Sequence, residues 1–202
     1  MEKLIKLLQA LMPMSPALVQ HLRKIIKLFE YNKGETILEA GDTSDHILYI
    51  EDGLVISFYK LGQKQKEITN WFMGKGEIFI SVLSFHRRTP SLDSHRALTA
   101  CKFWGITHAE LEETFRLFPE FERHGRILEA EYYCLSEERH IMLKRQPSDV
   151  KYQALMKQYP DLHKYATVAQ LASFLNMSPR TFDYMRYKYN QENGTDSATG
   201  QE

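Results

Sequence analysis

The chain has 202 residues, of which 43% are hydrophobic and 26% charged, and its formal net charge is zero. These values are ordinary for a soluble globular protein and leave room for one large domain or two small ones. The two cysteines, Cys101 and Cys134, are far apart and form no CxxC pair, which argues against a disulfide framework and a four-cysteine metal site.

In the N-terminal half, the predicted secondary structure changes from helix to strand near residue 30. Residues 1–30 predict helix, with a helix start at Ser15-Pro16 and apolar residues at helical spacing after it. From Tyr31 to Ile106, short β-rich segments alternate with glycines, which predicts an all-β sandwich or barrel. The predicted strands are Glu35–Glu39, His46–Ile50, Leu54–Tyr59, Glu67–Phe72, Ile78–Val82 and Ala97–Ile106.

The helical pattern returns at Thr107, which forms a predicted capping box with Glu110. The next segment, Glu120–Arg145, lacks proline and predicts a helix of about 39 Å. It carries a seven-residue apolar repeat, typical of a seam between two helices and hence of a two-fold homodimer. The predicted interface residues are Phe121, Leu128, Leu135 and Met142, beside a second series of Ile127, Cys134 and Ile141. The alternative is a long helix that packs only on its own domain.

The segment Thr167–Arg186 has the pattern of a helix-turn-helix. Leu171 and Leu175 predict a buried side, Ala172 a close helix crossing, and Asn176 a turn residue that tolerates a left-handed backbone. Ser178 caps the second helix and Pro179 occupies its first position. Outward residues near the start of that helix are the ones that can meet base edges. Phe182 and Met185 are predicted to point inward.

The charge distribution supports a contact with nucleic acid. Residues 144–190 contain eight Lys and Arg against three Asp, whereas 191–202 are acidic and are predicted to be disordered. We expect Thr167, Gln170 and Lys188 to contact phosphates and Arg180 and Tyr184 to face bases, with Asp183 a weaker candidate. The full predicted DNA-binding set is Thr167, Gln170, Ser178, Arg180, Thr181, Asp183, Tyr184, Arg186 and Lys188.

The chain resembles the superfamily of the cyclic-AMP receptor protein and the fumarate–nitrate reduction regulator, Crp/Fnr, and looks most like a short branch found in Bacteroidetes-type bacteria. The resemblance covers residues 15–190 and is carried by Lys33–Gly41, by Leu48–Gly53 and by the order of roll, long helix and helix-turn-helix. It implies an α+β chain with an N-terminal double-stranded β-roll of jelly-roll type, a long dimerisation helix and an all-α helix-turn-helix domain.

The sequence departs from the family where cyclic nucleotides bind. The family's phosphate cassette begins with Gly-Glu and carries Arg-Ser about ten residues later, whereas this chain has Ile80-Ser81 and Ser91-Leu92 at the matching positions. The glutamate for the ribose and the arginine for the phosphate are both absent. We therefore expect no useful affinity for cyclic AMP or cyclic GMP, and a roll filled by another ligand or by Phe79, Phe85 and Leu92. The candidate effector residues are Ile80, Ser81, Ser91 and Leu92.

These patterns predict a cytoplasmic, homodimeric transcription regulator that binds a near-palindromic operator in double-stranded DNA. The predicted units are a sensor domain at 1–118, the dimerisation helix at 119–146, the helix-turn-helix domain at 147–190 and a tail at 191–202. RNA polymerase and an unidentified small-molecule effector are further candidate partners, and no membrane, metal or cofactor is expected. Two alternatives stay open: an interaction module that has lost DNA binding, and a cupin-type metal enzyme, for which the scattered histidines lack a His-x-His pair.

Overall fold

Two antiparallel sheets followed by a helical region make up the computed structural model, which describes residues 1–63 and 65–194. The helices are α1 (Glu2–Leu11), α2 (Pro16–Ile25), α3 (Val82–Arg87), α4 (His108–Leu117), α5 (Pro119–Arg145), α6 (Ser148–Gln158), α7 (Val168–Phe174) and α8 (Pro179–Gly194), with a 3-10 turn at Leu162–Lys164. The strands are β1 (Lys27–Tyr31), β2 (Thr36–Leu38), β3 (His46–Asp52), β4 (Val55–Leu61), β5 (Lys66–Met73), β6 (Ile78–Phe79), β7 (Ser94–Ala97) and β8 (Cys101–Thr107).

The strands form the predicted β-roll. One sheet has the order β1-β8-β3-β6 and the other β2-β7-β4-β5, and all pairs are antiparallel. Side chains that alternate along these strands form one buried cluster. Its buried members are Leu48, Ile50, Val55, Met73, Phe79, Ala97, Cys101 and Phe103. The α+β class and the roll are thus confirmed.

The N-terminal region corrects the prediction that residues 1–30 are helical up to residue 30. Helix α2 begins as predicted, with Ser15 as N-cap and Pro16 in the first turn, but it ends at Ile25. Residues Lys27–Tyr31 form β1, in which Phe29 pairs with Phe103 of β8. Pairing with a distant strand overrides the local helical spacing here. Two more boundaries differ: Val82 begins α3 instead of ending a strand, and residues 98–100 divide Ala97–Ile106 into two strands.

The helices after the roll follow the sequence prediction closely. Thr107 and Glu110 form both hydrogen bonds of the capping box that starts α4. Helix α5 runs for 27 residues along Pro119–Arg145. Helix α8 continues to Gly194, past the predicted domain end at residue 190. Of the tail that was predicted to be disordered, 195–202 lie outside the described residues.

The C-terminal helices share a hydrophobic core with the second sheet of the roll. Roll residues in this shared cluster are Ile56, Phe58, Phe72 and Leu98, and residues of the C-terminal region are Tyr152, Leu155, Leu162, Ala166, Leu171, Ala172, Phe174, Leu175 and Phe182. The amide of Thr69 in β5 also donates to the hydroxyl of Ser173 in α7, at 3.0 Å. The helix-turn-helix is therefore packed directly against the roll.

Candidate functional site

Helices α7 and α8 form a closely packed pair joined by a tight turn. Thr167 caps α7 in a capping box with Gln170, so their side chains bond to each other's backbone amides. Asn176 has a φ of 52° in the turn, as its sequence position predicted. Ala172 at the crossing is 1% exposed, and its carbonyl accepts from the amide of Met177 at 3.0 Å.

The inner face of α8 is held by aromatic packing. Phe182 is 1% exposed, and its ring centre lies 5.2 Å from that of Tyr152 in α6. Met185 is half-buried against the same cluster. Both side chains point inward as predicted, which fixes the outward orientation of the opposite face.

The predicted DNA-contacting side chains differ in their availability. Arg180 is exposed and has no ion pair with any described residue. Asp183 and Arg186 bind each other at 2.8 Å. The hydroxyls of Ser178 and Thr181 lie 2.8 Å apart, and Ser178 accepts the Thr181 amide at 3.0 Å.

Lys188, near the C-terminal end of α8, shares its charge with two carboxylates. Lys188 lies 4.0 Å from a carboxylate oxygen of Asp149 and 3.7 Å from one of Glu192. These are exposed contacts, which phosphate groups can replace at little cost. Lys188 is therefore available to a polyanion.

Sequence reasoning missed Tyr187, whose side chain is 64% exposed. It lies seven residues after Arg180 and three after Tyr184, which is 61% exposed. This spacing places the three residues along one line of α8. The same spacing is visible in the sequence and would have identified Tyr187.

The roll places Ser81 and Ser91 together, as their assignment to one pocket predicted, with 2.9 Å between their hydroxyl oxygens. Between them lies Asp93, which the sequence did not single out. The Asp93 carboxylate accepts from Ser57 at 2.5 Å, Ser81 at 2.6 Å and Ser91 at 2.9 Å. Nε2 of His95 lies 3.0 Å from its second oxygen. The site is thus filled by a carboxylate of the chain itself.

The electrostatics of this network favour the charged carboxylate. Burial alone raises the pKa of Asp93, but the hydrogen bond and charge of His95, with the bonds from Ser57 and Ser81, outweigh it. The pKa of Asp93 is therefore held below its usual range. Burial, together with the same negative charge, raises the pKa of Tyr132 in α5.

The other residues that were expected to fill this pocket differ in their burial. Leu92 is 74% exposed and fills nothing, because its backbone turns it outward beside the buried Ser91. Ile80 is half-buried, while Phe79 and Phe85 are buried as expected. Two neighbouring arginines are engaged elsewhere: Arg88 binds Asp45 at 2.6 Å and Arg96 binds Glu67 at 2.9 Å.

The predicted dimer residues of α5 fall into two groups. Phe121 is 6% exposed and packs against α1 and α2 of its own chain, which removes it from the predicted seam. Leu128 is partly buried against the same cluster. Met142 is half-buried, and Leu135 and Ile141 are each 44% exposed. The exposed apolar surface therefore lies in the second half of α5.

Arg139 connects α5 to the roll and to helix α7. One of its terminal nitrogens, Nη2, donates to the carbonyls of Asn70 in β5 at 3.0 Å and of Phe174 in α7 at 3.1 Å. Its guanidinium carbon lies 5.0 Å from the ring centre of Trp71. The long helix thereby contacts the roll and the helix-turn-helix through one side chain.

Comparison with known proteins agrees with this architecture. Residues 28–117 match the family model of the cyclic nucleotide-binding domain. No curated protein matches the chain at a significant level. None of the helices in residues 1–63 and 65–194 combines the length and apolarity that crossing a bilayer requires.

Solved structures share the fold at low sequence identity. FixK2 from Bradyrhizobium japonicum has a TM-score of 0.69 at 14% identity, over 83% of this chain and 86% of that one. A transcriptional regulator of the Crp/Fnr family from Eubacterium rectale has a TM-score of 0.68 at 14% identity, over 90% and 85%. The catabolite activator protein of Thermus thermophilus has a TM-score of 0.53 at 16% identity, over 89% and 85%. At these identities the likeness shows a shared fold.

Proposed function

Since the chain joins a cyclic nucleotide-binding domain at 28–117 to the fold of the Crp/Fnr transcription regulators, we propose that it is a cytoplasmic, sequence-specific DNA-binding regulator. The observation that carries the proposal is the geometry of α8. Its inner face is anchored by the buried Phe182, and its outer face presents Arg180 and Tyr184 to solvent. A helix held in this way fits the major groove of DNA.

The contacts divide by role. Arg180 extends from the N-terminal turn of α8 and is suited to a bidentate bond with guanine, which is worth about 1–3 kcal/mol of discrimination. Lys188, further along the helix, is placed to contact phosphate. Thr167 and Gln170 sit at the N-terminus of α7, where the capping box leaves the amide NH2 of Gln170 free for a phosphate oxygen.

The proposal is tested by selecting bound duplexes from a random DNA pool. We expect enrichment of a near-palindrome with half-sites about 34 Å apart, one helical turn. Arg180→Ala should then relax the preference at one base pair, whereas Lys188→Ala should weaken all duplexes alike. Arg123→Ala, on an exposed position of α5, is the control and should change neither. Failure to enrich any sequence would contradict the proposal.

The palindrome requires a homodimer, which we place on the second half of α5. There the exposed apolar surface consists of Tyr133, Cys134, Leu135 and Ile141. Within this surface, Cys134 and Ile141 lie seven residues apart, as do Leu135 and the half-buried Met142, and this spacing is suited to a parallel helix pair. The exposure of these residues in a single chain supports their burial by a second copy.

We further propose that cyclic AMP and cyclic GMP are not effectors. A cyclic phosphate would have to enter beside the Asp93 carboxylate, and two negative charges in a partly desolvated site repel. Ser91 supplies no compensating cation, and Ile80 adds a branched side chain where the backbone must come close to phosphate. Calorimetry should show no binding, and a low-micromolar dissociation constant for either nucleotide would overturn this proposal.

The alternative is a protein-interaction module that has lost DNA binding, and the two exposed tyrosines of α8 are the observation that favours it. Loss of DNA binding predicts no salt-dependent shift of random duplex DNA. A shift that weakens as salt increases would instead support the regulator, because counterion release accompanies phosphate contacts.

A further inference from the structure

The outer face of α8 carries two exposed tyrosines among its charged residues. Tyr184 is 61% exposed and Tyr187 64% exposed. In the described part of the chain, no hydrogen bond is made by either hydroxyl. The opposite side of α8 is packed against the protein core, so these two rings stay exposed to water. They offer apolar surface to a partner.

The remaining polar groups on this helix are less available. Asp183 is neutralised by Arg186 at 2.8 Å, and Thr181 is bonded to Ser178 at 2.8 Å. A paired Asp183 is poorly placed to accept a hydrogen bond from cytosine. Base recognition therefore depends on Arg180 and the tyrosine pair.

The spacing of these three residues fits a short run of base pairs. At about 1.5 Å per residue, Tyr184 lies about 6 Å and Tyr187 about 10 Å along the helix from Arg180. With base pairs about 3.4 Å apart, this distance corresponds to a half-site of about four base pairs.

We propose that Tyr184 and Tyr187 determine specificity for thymine by packing their rings on its 5-methyl group, beside a guanine read by Arg180. This inference rests on the proposed DNA-binding function and specifies its target. The thymine methyl is the apolar group that base pairs present in the major groove, and an exposed aromatic ring is suited to pack on it. The half-site is therefore thymine-rich with one guanine.

The test replaces thymine with deoxyuridine in the selected operator, which removes only the methyl group. A buried methyl contributes about 0.8 kcal/mol, so each substitution should weaken binding about fourfold, and paired substitutions in both half-sites about sixteenfold. Tyr184→Phe and Tyr187→Phe keep the ring and should retain this sensitivity. Tyr184→Ala and Tyr187→Ala should bind the thymine operator more weakly and lose the sensitivity to deoxyuridine at one position each.

The matched control is Tyr165→Ala, which removes a ring that is 45% exposed outside the reading helix and should leave the deoxyuridine effect intact. Melting curves confirm that the alanine variants fold, as expected for exposed side chains. Wild-type binding that does not distinguish thymine from deoxyuridine would overturn the inference. So would equal losses in the Phe and Ala variants on all sequences, since these would assign the hydroxyls to phosphate. If no operator is selected at all, the proposed function itself fails.

Discussion

The guanidinium carbon of Arg139 lies 3.7 Å from the centre of the Phe174 ring, so a side chain of α5 covers the end of α7. The same guanidinium donates to the backbone of β5 and of α7. Burial lowers the pKa of Arg139 to about 10, which leaves it charged at neutral pH. Its Nη1 is buried and has no partner in the described residues.

Arg139→Met is expected to loosen the contact between α7 and the roll, because methionine fills part of the space but donates no hydrogen bond. The loss of two charge-assisted bonds outweighs the gain from removing a buried charge, and we expect a net cost of about 1–3 kcal/mol at this interface. Amide hydrogen exchange in α7 and β5 should accelerate. Arg126→Met, on an exposed position of the same helix, is the control, and unchanged exchange in the Arg139 variant would contradict the prediction.

Asp93→Asn is expected to lower stability at pH 7 by about 1–3 kcal/mol and to flatten its dependence on acid pH. The folded pKa of Asp93 lies below its unfolded value, so the carboxylate stabilises the protein above the unfolded pKa, and this stabilisation is lost as pH falls. The wild type should therefore lose stability more steeply than the variant from about pH 5 downward.

Urea unfolding between pH 7 and pH 3 measures this difference. Asp42→Asn, which changes an exposed carboxylate, serves as the control and should follow the wild-type curve. Parallel curves for the wild type and Asp93→Asn would show that Asp93 has no depressed pKa. His95 and Tyr132 are the titratable groups that interact with Asp93.

Gly53→Ala should destabilise the protein more than Gly41→Ala. Both glycines have positive φ, 106° and 101°, which costs a side chain about 1–2 kcal/mol. A Cβ at Gly53 would also lie 2.6 Å from the sulfur of Cys101 and 2.7 Å from the carbonyl oxygen of Ala100, whereas Gly41 has open space. Thermal melting of the two variants isolates the steric difference, and equal melting temperatures would refute it.

Leu135→Asp and Ile141→Asp should produce monomers, because each places a charge in the proposed seam of α5. Ser136→Asp adds the same charge between them in sequence but off the apolar strip, and should leave the dimer intact. Light scattering at micromolar concentration makes the comparison. A wild-type chain that is already monomeric would end the proposal of a dimer.

Cys134 offers an independent measure of the same seam. It is exposed on α5, whereas Cys101 is buried. In a two-fold parallel pair the two copies of Cys134 come close, so mild oxidation should form a cross-linked dimer that Cys134→Ser abolishes. Cross-linking that persists in Cys134→Ser would assign the contact to another surface.

Features determined by neighbours in sequence were the ones that sequence analysis could predict. The capping box at Thr107 and the left-handed turn at Asn176 depend on a few adjacent residues, and both were predicted. Strand β1 was missed because it depends on pairing with β8, which lies about seventy residues away. Tertiary pairing of this kind leaves little trace in local periodicity.

Of the side chains that fill the pocket of the roll, sequence analysis predicted Ser81 and Ser91 but missed Asp93. Asp93 reads as a surface residue in a polar loop, because nothing adjacent shows that it is buried. Its partners Ser57 and Ser81 come from separate segments of the roll. A carboxylate that serves as the pocket's own anion becomes visible only once those segments are folded together.

The hydrophobic cluster that joins Ile56 and Phe72 of the roll to Leu171 and Phe174 of α7 makes the roll and the C-terminal helices one cooperative unit. Neither half buries its share of this surface alone, so a truncated helix-turn-helix would expose it to water. A disturbance of β4 or β5 is therefore transmitted to α7 through direct contact. Under the proposed function, a substitution on that sheet would alter DNA binding at a distance from every proposed base contact.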